Sequence, residues 1–507
     1  MMPNALLRPF PALVLAAAGA CAGVVGFTAS AGVRNDMAIA TVVAIVAAAA
    51  TVLVLARRPG FAALVARPPA IARALFVAGS LAVGAQLVWL IGFIIDPSRA
   101  TWTPGPLAPM PAVHSCASSY WVAGSVVRSR PDIYDDALYN LPQTDPTAMR
   151  NARKLGRFSI DNYEYPPPFL LVPRILGLVT PDFWHFRRLW FALNFGLVVV
   201  VSVLVARRLD ERLGTHAVWL TPYVVAGPAI IATFQVGNVQ MLMIAMSALA
   251  MYCFDRRSPV LGGALLAFAI AGKLYPGVFV LYLLLQRDWR AVGWTAVWGI
   301  VLVAVSVADV GWEPYRAFLH EMPGLMSGEA FSAFRNPGAI GNNGSVPGVV
   351  FKLGMWGVPN MGFPAMRMLG WAYTLVVIAG TVWLARRVRP GGREPVVWII
   401  ILVLATMRSP FMATYAFFPV MWLATLVLAV RWRQPARTAV PMICWLLLAI
   451  GFGPAGIQPR WNAIWTTFQT IVAFALVAIA MRDLRGPTGE KAGDVTGASS
   501  APSPLPA

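Results

Sequence analysis

The sequence predicts an all-α polytopic membrane protein, and three observations carry that prediction. The chain of 507 residues is 58% hydrophobic and only 12% charged, about half the charged share of a soluble globular domain. Apolar runs of about 20 residues, the length a helix needs to cross a bilayer, begin with Met37–Ala56 and Arg73–Ile95 and recur as far as Met481. Between the runs stand short basic clusters: Arg57-Arg58, Arg207-Arg208, Arg256-Arg257, Arg386-Arg387 and Arg431 to Arg437. One multi-helix bundle of roughly 11–13 spans fits this pattern better than several soluble domains.

The net charge is +19, which in a soluble chain would raise the question of nucleic acid. Here the arginines flank apolar runs, so they set topology by the positive-inside rule, and no nucleic-acid partner is implied. The four cysteines, Cys21, Cys116, Cys253 and Cys444, are scattered. They show neither a disulfide framework nor a metal-ligand spacing. No P-loop, zinc motif, dinucleotide fingerprint or nucleophile elbow occurs, which argues against nucleotide hydrolysis.

Taken in order, the charges direct each span. Pro11–Gly32 is followed at once by a second apolar run, so it reads as a retained helix and not as a cleaved signal peptide. With the N-terminus inside, Arg34 lies outside, Arg57 to Arg73 inside, and the third span delivers the chain to the outer face at Ile95. A first long outer loop covers about residues 96–165. The segment Pro166–Val179 is short and proline-rich; it either crosses or dips, because Arg187-Arg188 and Arg207-Arg208 compete for the cytoplasmic side. Gln235 to Gln240 then falls outside, and Asp255 to Arg257 inside. Two short helices form a hairpin with its tip near Lys273 outside. A second outer loop covers about residues 311–345, and Arg408 and the stretch Pro454 to Asn462 also face outward. Residues 1–485 are thus expected to form one membrane-embedded domain. The tail 486–507, rich in Gly, Pro, Ser and Ala, is expected to be disordered in the cytoplasm.

This topology gathers the polar residues on one face. A transporter would place them near the bilayer midplane between repeated halves, and no convincing internal repeat is visible. In the first loop, Asp96 follows a span directly, and Asp132, Asp135 and Asp136 follow an amphipathic segment around Tyr120-Trp121. A carboxylate here can act as a base toward a hydroxyl, or close a turn or cap a helix. Glu164, in Tyr163-Glu164-Tyr165-Pro166-Pro167, can do either as well. The amides of Gln235, Asn238 and Gln240 suit sugar hydroxyls, or mark a tight turn. Lys273 stands inside an apolar run of nearly thirty residues, where a charge is costly enough to suggest function. It could meet a lipid phosphate as a point charge or snorkel to headgroups. Arg408 and Arg460 offer guanidinium groups to phosphate oxygens from the same face. In the second loop, His320 is a candidate phosphate ligand, and Asn342 and Asn343 are candidate sugar ligands.

Three segments together resemble glycosyltransferase family 87, the membrane-embedded GT-C enzymes that include polyprenyl-phosphate-mannose-dependent α-mannosyltransferases. They are Tyr120 to Tyr139 continued by Tyr165-Pro166-Pro167; Gly237-Asn238-Val239-Gln240 through Gly262-Gly263 to Lys273-Leu274-Tyr275-Pro276; and Asn342-Asn343-Gly344-Ser345-Val346-Pro347-Gly348. The resemblance implies a GT-C-like bundle in a bacterial inner membrane, with its site facing the periplasm. It also implies inverting transfer of mannose or another hexose or pentose from a polyprenyl-phosphate donor to a lipid or glycan acceptor. No cofactor beyond that donor is implied, and a divalent metal stays open. In the family a catalytic Asp lies a few residues before the position of Tyr120. This chain instead has His114-Ser115-Cys116-Ala117-Ser118-Ser119, so either Asp96, Asp132, Asp135 or Asp136 takes the role or the chemistry differs. Lys273, Arg408, Arg460 and His320 would then hold the donor phosphate. Competing readings are a transporter or flippase of a lipid-linked sugar, and a non-catalytic membrane scaffold.

Overall fold

The computed structural model describes residues 9–485 apart from 35, 66–69, 97, 99–113, 144–149, 210–215, 388–391, 433–434 and 450–457. The tail 486–507 and parts of the first long loop and of the stretch 454–462 therefore lie outside the described residues.

Seven helices among the described residues are long and apolar enough to cross a membrane: Pro9–Val33, Met37–Arg57, Ala70–Ile95, Phe183–Arg208, Trp289–Val310, Phe363–Arg387 and Pro459–Arg485. At about 1.5 Å per residue, even the shortest reaches across a hydrocarbon core of about 30 Å. An eighth candidate is broken: Ile230–Val236 and Gln240–Asp255 meet at 110°. Shorter apolar helices, among them Pro259–Gly272, Tyr275–Leu285, Glu394–Thr406 and Phe418–Val430, fill the bundle. The predicted all-α membrane architecture is borne out.

Local chemistry explains the starts. Asp36 accepts from the backbone N–H groups of Ala38 and Ile39, Asp182 from those of Trp184 and His185, and Asp288 from that of Ala291. Each carboxylate satisfies orphan donors in a first helical turn. The most buried helices, Glu394–Thr406 and Phe418–Val430, show apolar residues on every side, as a helix surrounded by other helices must.

The two ends of the bundle differ electrically. At one end, Arg208 pairs with Asp255 at 2.5 Å and with Glu394 at 3.8 Å, and Arg431 pairs with Asp483 at 2.6 Å. At the other end, Arg187 and Arg188 are buried and donate to carbonyl oxygens. Arg187 donates to Phe93 and Ile94, and Arg188 to Ala31 and Ile95. These carbonyls end the helices Pro9–Val33 and Ala70–Ile95, where guanidinium complements the negative end of the helix dipole. Arg187-Arg188 therefore tie helix ends together and need no place on a charged membrane surface. That removes their competition with Arg207-Arg208. The segment Pro166–Val179 becomes a 3-10 turn, Pro167–Leu170, running into the short helix Leu171–Gly177. Eleven residues are too few to cross a bilayer as a helix.

The first loop folds back on itself through a small sheet. Strand β1 (His114–Ser115) pairs parallel with β3 (Phe158–Ile160), and β2 (Lys154–Leu155) pairs antiparallel with β3. The register sets His114 opposite Ser159 and Ser115 opposite Ile160. Asp309, near the end of the span Trp289–Val310, holds both Arg128 and Arg174 and so pins the loop to the bundle.

Candidate active site

The site begins with a break in a helix. Gly237 ends the helix Pro228–Val236 with φ of +70°, a left-handed conformation open to glycine at little cost. A Cβ there would lie 2.9 Å from that of Ala117 and 3.3 Å from the Trp190 ring. Trp190 Nε1 donates to the Gly237 carbonyl at 2.8 Å. Asn238 follows with its Oδ1 accepting from Gln240 N–H at 2.8 Å and its Nδ2 donating to Cys116 Sγ at 3.3 Å. The Val239 N–H donates to Tyr120 Oη at 3.1 Å, and Tyr120 Oη meets Tyr165 Oη at the same distance. The break is thus buried beneath the first loop. Gln235, Asn238 and Gln240 are each about 5–6% exposed, so the stretch is not a surface turn.

The short hairpin completes the floor. Pro259–Gly272 and Tyr275–Leu285 part at Lys273, whose backbone is extended. Close packing supports this geometry: a Cβ on Gly263 would meet the Trp294 carbonyl carbon at 2.6 Å. Lys273 Nζ lies 4.7 Å from the centre of the Tyr165 ring, a cation–π contact.

Two acids of the first loop come inward. Asp161 follows β3 directly. Its carboxylate Oδ2 is 3.0 Å from His114 Nδ1, its Oδ1 is 3.8 Å from Arg150, and its N–H donates to Ser118 Oγ at 3.2 Å. Burial pushes the Asp161 carboxyl up, but His114 and Arg150 outweigh burial and hold it below the usual carboxylate range. Asp161 in turn pushes His114 well above the usual imidazole range. Glu164 behaves in the opposite way. Burial pushes it up to about 7, with Lys273 as the main opposing charge. That places its carboxyl where a general base works best near neutral pH. Cys116, beside this group, is pushed by burial up to about 11, so its free thiol is a poor nucleophile.

The predicted acids Asp96, Asp132 and Asp135 are placed elsewhere. Asp96 Oδ1 accepts from Ser98 N–H and Oγ at the end of Ala70–Ile95. Asp132 accepts from Tyr134 N–H at 3.1 Å, and Asp135 caps a 3-10 turn by accepting from Ala137 N–H at 3.0 Å. Asp132 and Asp135 are exposed. Asp136 accepts from Asn140 and Asn162 within the loop.

The remaining predicted residues also scatter. Asn343 is fully buried; its Oδ1 accepts from Ser345 N–H and Met412 N–H, and its Nδ2 donates to the Pro410 carbonyl. It spends its side chain on the protein's own backbone, while its neighbour Asn342 is partly exposed. Arg408 donates to Thr374 Oγ1 at 2.6 Å and faces a separate cavity of about 260 Å³, whose lining includes Arg367, Glu329 and Trp371. His320 and Arg460 are exposed on the helices Glu313–Ser327 and Pro459–Arg485. Asp161, His114, Cys116 and Arg150 are not among the residues the sequence points to, because only strand pairing across more than forty residues brings them together.

Fold and site thus define a polytopic α-helical membrane protein with a partly buried ionisable cluster in its first long loop, at one end of the bundle. The resemblance read from the sequence holds: the chain matches glycosyltransferase family 87 over residues 163–412. It is 30% identical over 216 residues to the polyprenol-phosphate-mannose-dependent alpha-(1-2)-phosphatidylinositol mannoside mannosyltransferase of Mycolicibacterium smegmatis, covering 38% of this chain and 44% of that one. To the protein of the same description from Mycobacterium tuberculosis it is 27% identical over 260 residues, 49% of each chain. The chain spans about half the length of the curated relatives it matches. No solved structure matches it.

Proposed function

We propose that the protein is a polyprenyl-phosphate-sugar-dependent glycosyltransferase. It moves a hexose or pentose, with inversion, to a lipid or glycan acceptor at the outer face of the inner membrane. The observation that carries this reading is the place of Lys273, whose ammonium lies 4.7 Å from the ring centre of Tyr165, the residue next to Glu164, and which is the main charge opposing the rise of Glu164 to about 7. Both Glu164 and Lys273 lie within the segment that matches the family. The ionised Glu164 carboxylate takes the proton of the acceptor hydroxyl. The hydroxyl oxygen attacks the anomeric carbon from the face opposite the phosphate, and the C–O bond to phosphate breaks with its electron pair leaving on the lipid phosphate. Lys273, held over Tyr165, stabilises that developing charge. In this reading Glu164 is the base in preference to Asp96, Asp132 and Asp135, whose carboxylates already serve backbone donors. Gln235, Asn238 and Gln240 line the sugar side, and Arg408 with Arg367 offers guanidinium groups to phosphate in the separate cavity. The basic clusters at the opposite end favour a cytoplasmic position for that end and for the C-terminus.

A flippase would need a two-sided path and no base. The test is transfer of radiolabelled sugar from polyprenyl phosphate by the purified full chain in lipid. Lys273→Ala should lower the rate by about 10²–10³-fold, the scale seen when one preorganised charge-stabilising donor is lost. Absence of transfer from every polyprenyl-phosphate sugar offered, with the same protein moving lipid-linked sugar across vesicles, would overturn the enzyme reading.

A further inference from the structure

The transfer described above leaves one group of side chains without a use, a buried cysteine flanked by a partly buried histidine and aspartate. His114, Cys116 and Asp161 each present one donor atom, and these atoms lie within 4.8 Å of one another. Imidazole, thiolate and carboxylate together form a donor set that suits zinc and its neighbours, whereas magnesium and calcium prefer oxygen alone. We propose that His114, Cys116 and Asp161 bind one divalent cation of the zinc type, as three protein ligands with an open fourth position.

Four features beyond proximity support the site. The pairing of β1 with β3 fixes the two chain segments in register, with His114 just ahead of Cys116 and Asp161 just after Ile160. The supporting shell is already present: Asn238 Nδ2 donates to Cys116 Sγ at 3.3 Å, Ser118 Oγ accepts from Asp161 N–H, and Arg150 stands by the second carboxylate oxygen at 3.8 Å. Such outer partners orient metal ligands and tune their basicity. One thiolate and one carboxylate neutralise a divalent charge, which lowers the cost of holding it under the loop. The other three cysteines lie on the apolar helices Pro9–Val33, Gln240–Asp255 and Pro435–Ala449, so sulfur ligation would report this site alone. Binding itself does not depend on the transferase reading. Only its use does: an ion at an open position would polarise a hydroxyl oxygen beside Glu164.

The experiment measures the metal and no sugar. The full chain, purified in detergent and dialysed free of loose ions, is analysed by elemental mass spectrometry. Chelator-stripped protein is then titrated with zinc and with cobalt(II). The expected result is about one ion per chain, with a sulfur-to-cobalt charge-transfer band typical of tetrahedral thiolate ligation. Cys116→Ser and Asp161→Asn, both close to isosteric, should weaken binding by about tenfold or more. The band should vanish in Cys116→Ser while elution volume stays that of the wild type. No binding of either ion by folded wild-type protein overturns the proposal, and so does binding that Cys116→Ser leaves unchanged. Should that variant fail to fold, the wild-type cobalt spectrum decides: sulfur ligation supports the site, and nitrogen and oxygen ligation alone overturns it. Because no donor lipid is present, an inactive transferase and an absent metal site give separate answers.

Discussion

In the first long loop, the groups that draw together are ionisable: His114, Asp161 and Glu164, all partly buried, with the buried thiol of Cys116 among them and Lys273 as the charge opposing Glu164. In the second, they are neutral: Asn343 and Ser345, both fully buried, bind the backbone of Pro410 and Met412. Both loops are rich in polar residues, and both lead into apolar helices. Neutral amides that satisfy backbone donors and acceptors hold a loop in one position at modest cost. Buried charges cost more than they return in stability unless paired, so a group like Glu164, still opposed by its burial, marks where the protein accepts instability for chemistry. On the proposed mechanism the first loop does the chemistry and the second holds its place.

The sharpest test of that division is Glu164→Gln. Removing a general base lowers the transfer rate by about 10²–10⁴-fold, while the neutral amide keeps the shape of the carboxyl. Transfer of labelled sugar, measured with the variant's thermal unfolding alongside, reads both. A rate within the wild-type range would end the assignment of Glu164.

Much of the fold was legible in advance because it rests on short-range pattern. Apolar runs such as Ala70–Ile95, basic clusters and prolines before the helix Leu171–Gly177 can be read from consecutive residues. The hairpin tip at Lys273 was also legible, since a lone charge in an apolar run breaks the pattern. The carboxylate proposed here as the base was not. Asp96, Asp132, Asp135, Asp161 and Glu164 look alike in sequence, and what separates them is burial. Burial here depends on β1 meeting β3 and on the loop closing over the Gly237 break. Arg187-Arg188 were ambiguous for a similar reason: their carbonyl partners lie 48 to 157 residues away in the chain.

On the scaffold side, Asn343→Ala removes acceptors from Ser345 N–H and Met412 N–H and a donor from the Pro410 carbonyl. Leaving buried polar groups unpaired costs about 1–3 kcal/mol. The expected outcome is a lower unfolding temperature with little change in rate per folded molecule. A folded variant of normal stability that has lost transfer would move Asn343 into the site and break the contrast between the loops.

The pH dependence sharpens the first loop further. A base must be ionised to act, so transfer should rise with pH toward about 7 and level off above it, following Glu164. Lys273 lowers the Glu164 value against the upward push of burial. Lys273→Met should therefore move the acid limb to higher pH, as well as slow the reaction at every pH. A limb that stays in place would mean that Lys273 and Glu164 do not share one site.

The smallest effects belong to acids of the first loop that lie outside its ionisable cluster. Asp132→Asn and Asp135→Asn keep the oxygen that accepts from Tyr134 N–H and Ala137 N–H, so both turns survive. Exposed substitutions of this kind change stability by no more than about 0.5 kcal/mol. Their transfer rates should match the wild type across the pH range, including the acid limb. The comparison matters because these residues differ from Glu164 in surroundings more than in chemistry. If Asp135→Asn were to abolish transfer, burial would no longer mark the working carboxylate, and the loop would have to close differently around a bound donor. If both variants stay active while Glu164→Gln does not, the distinction between a capping acid and a catalytic one rests on position beneath the loop.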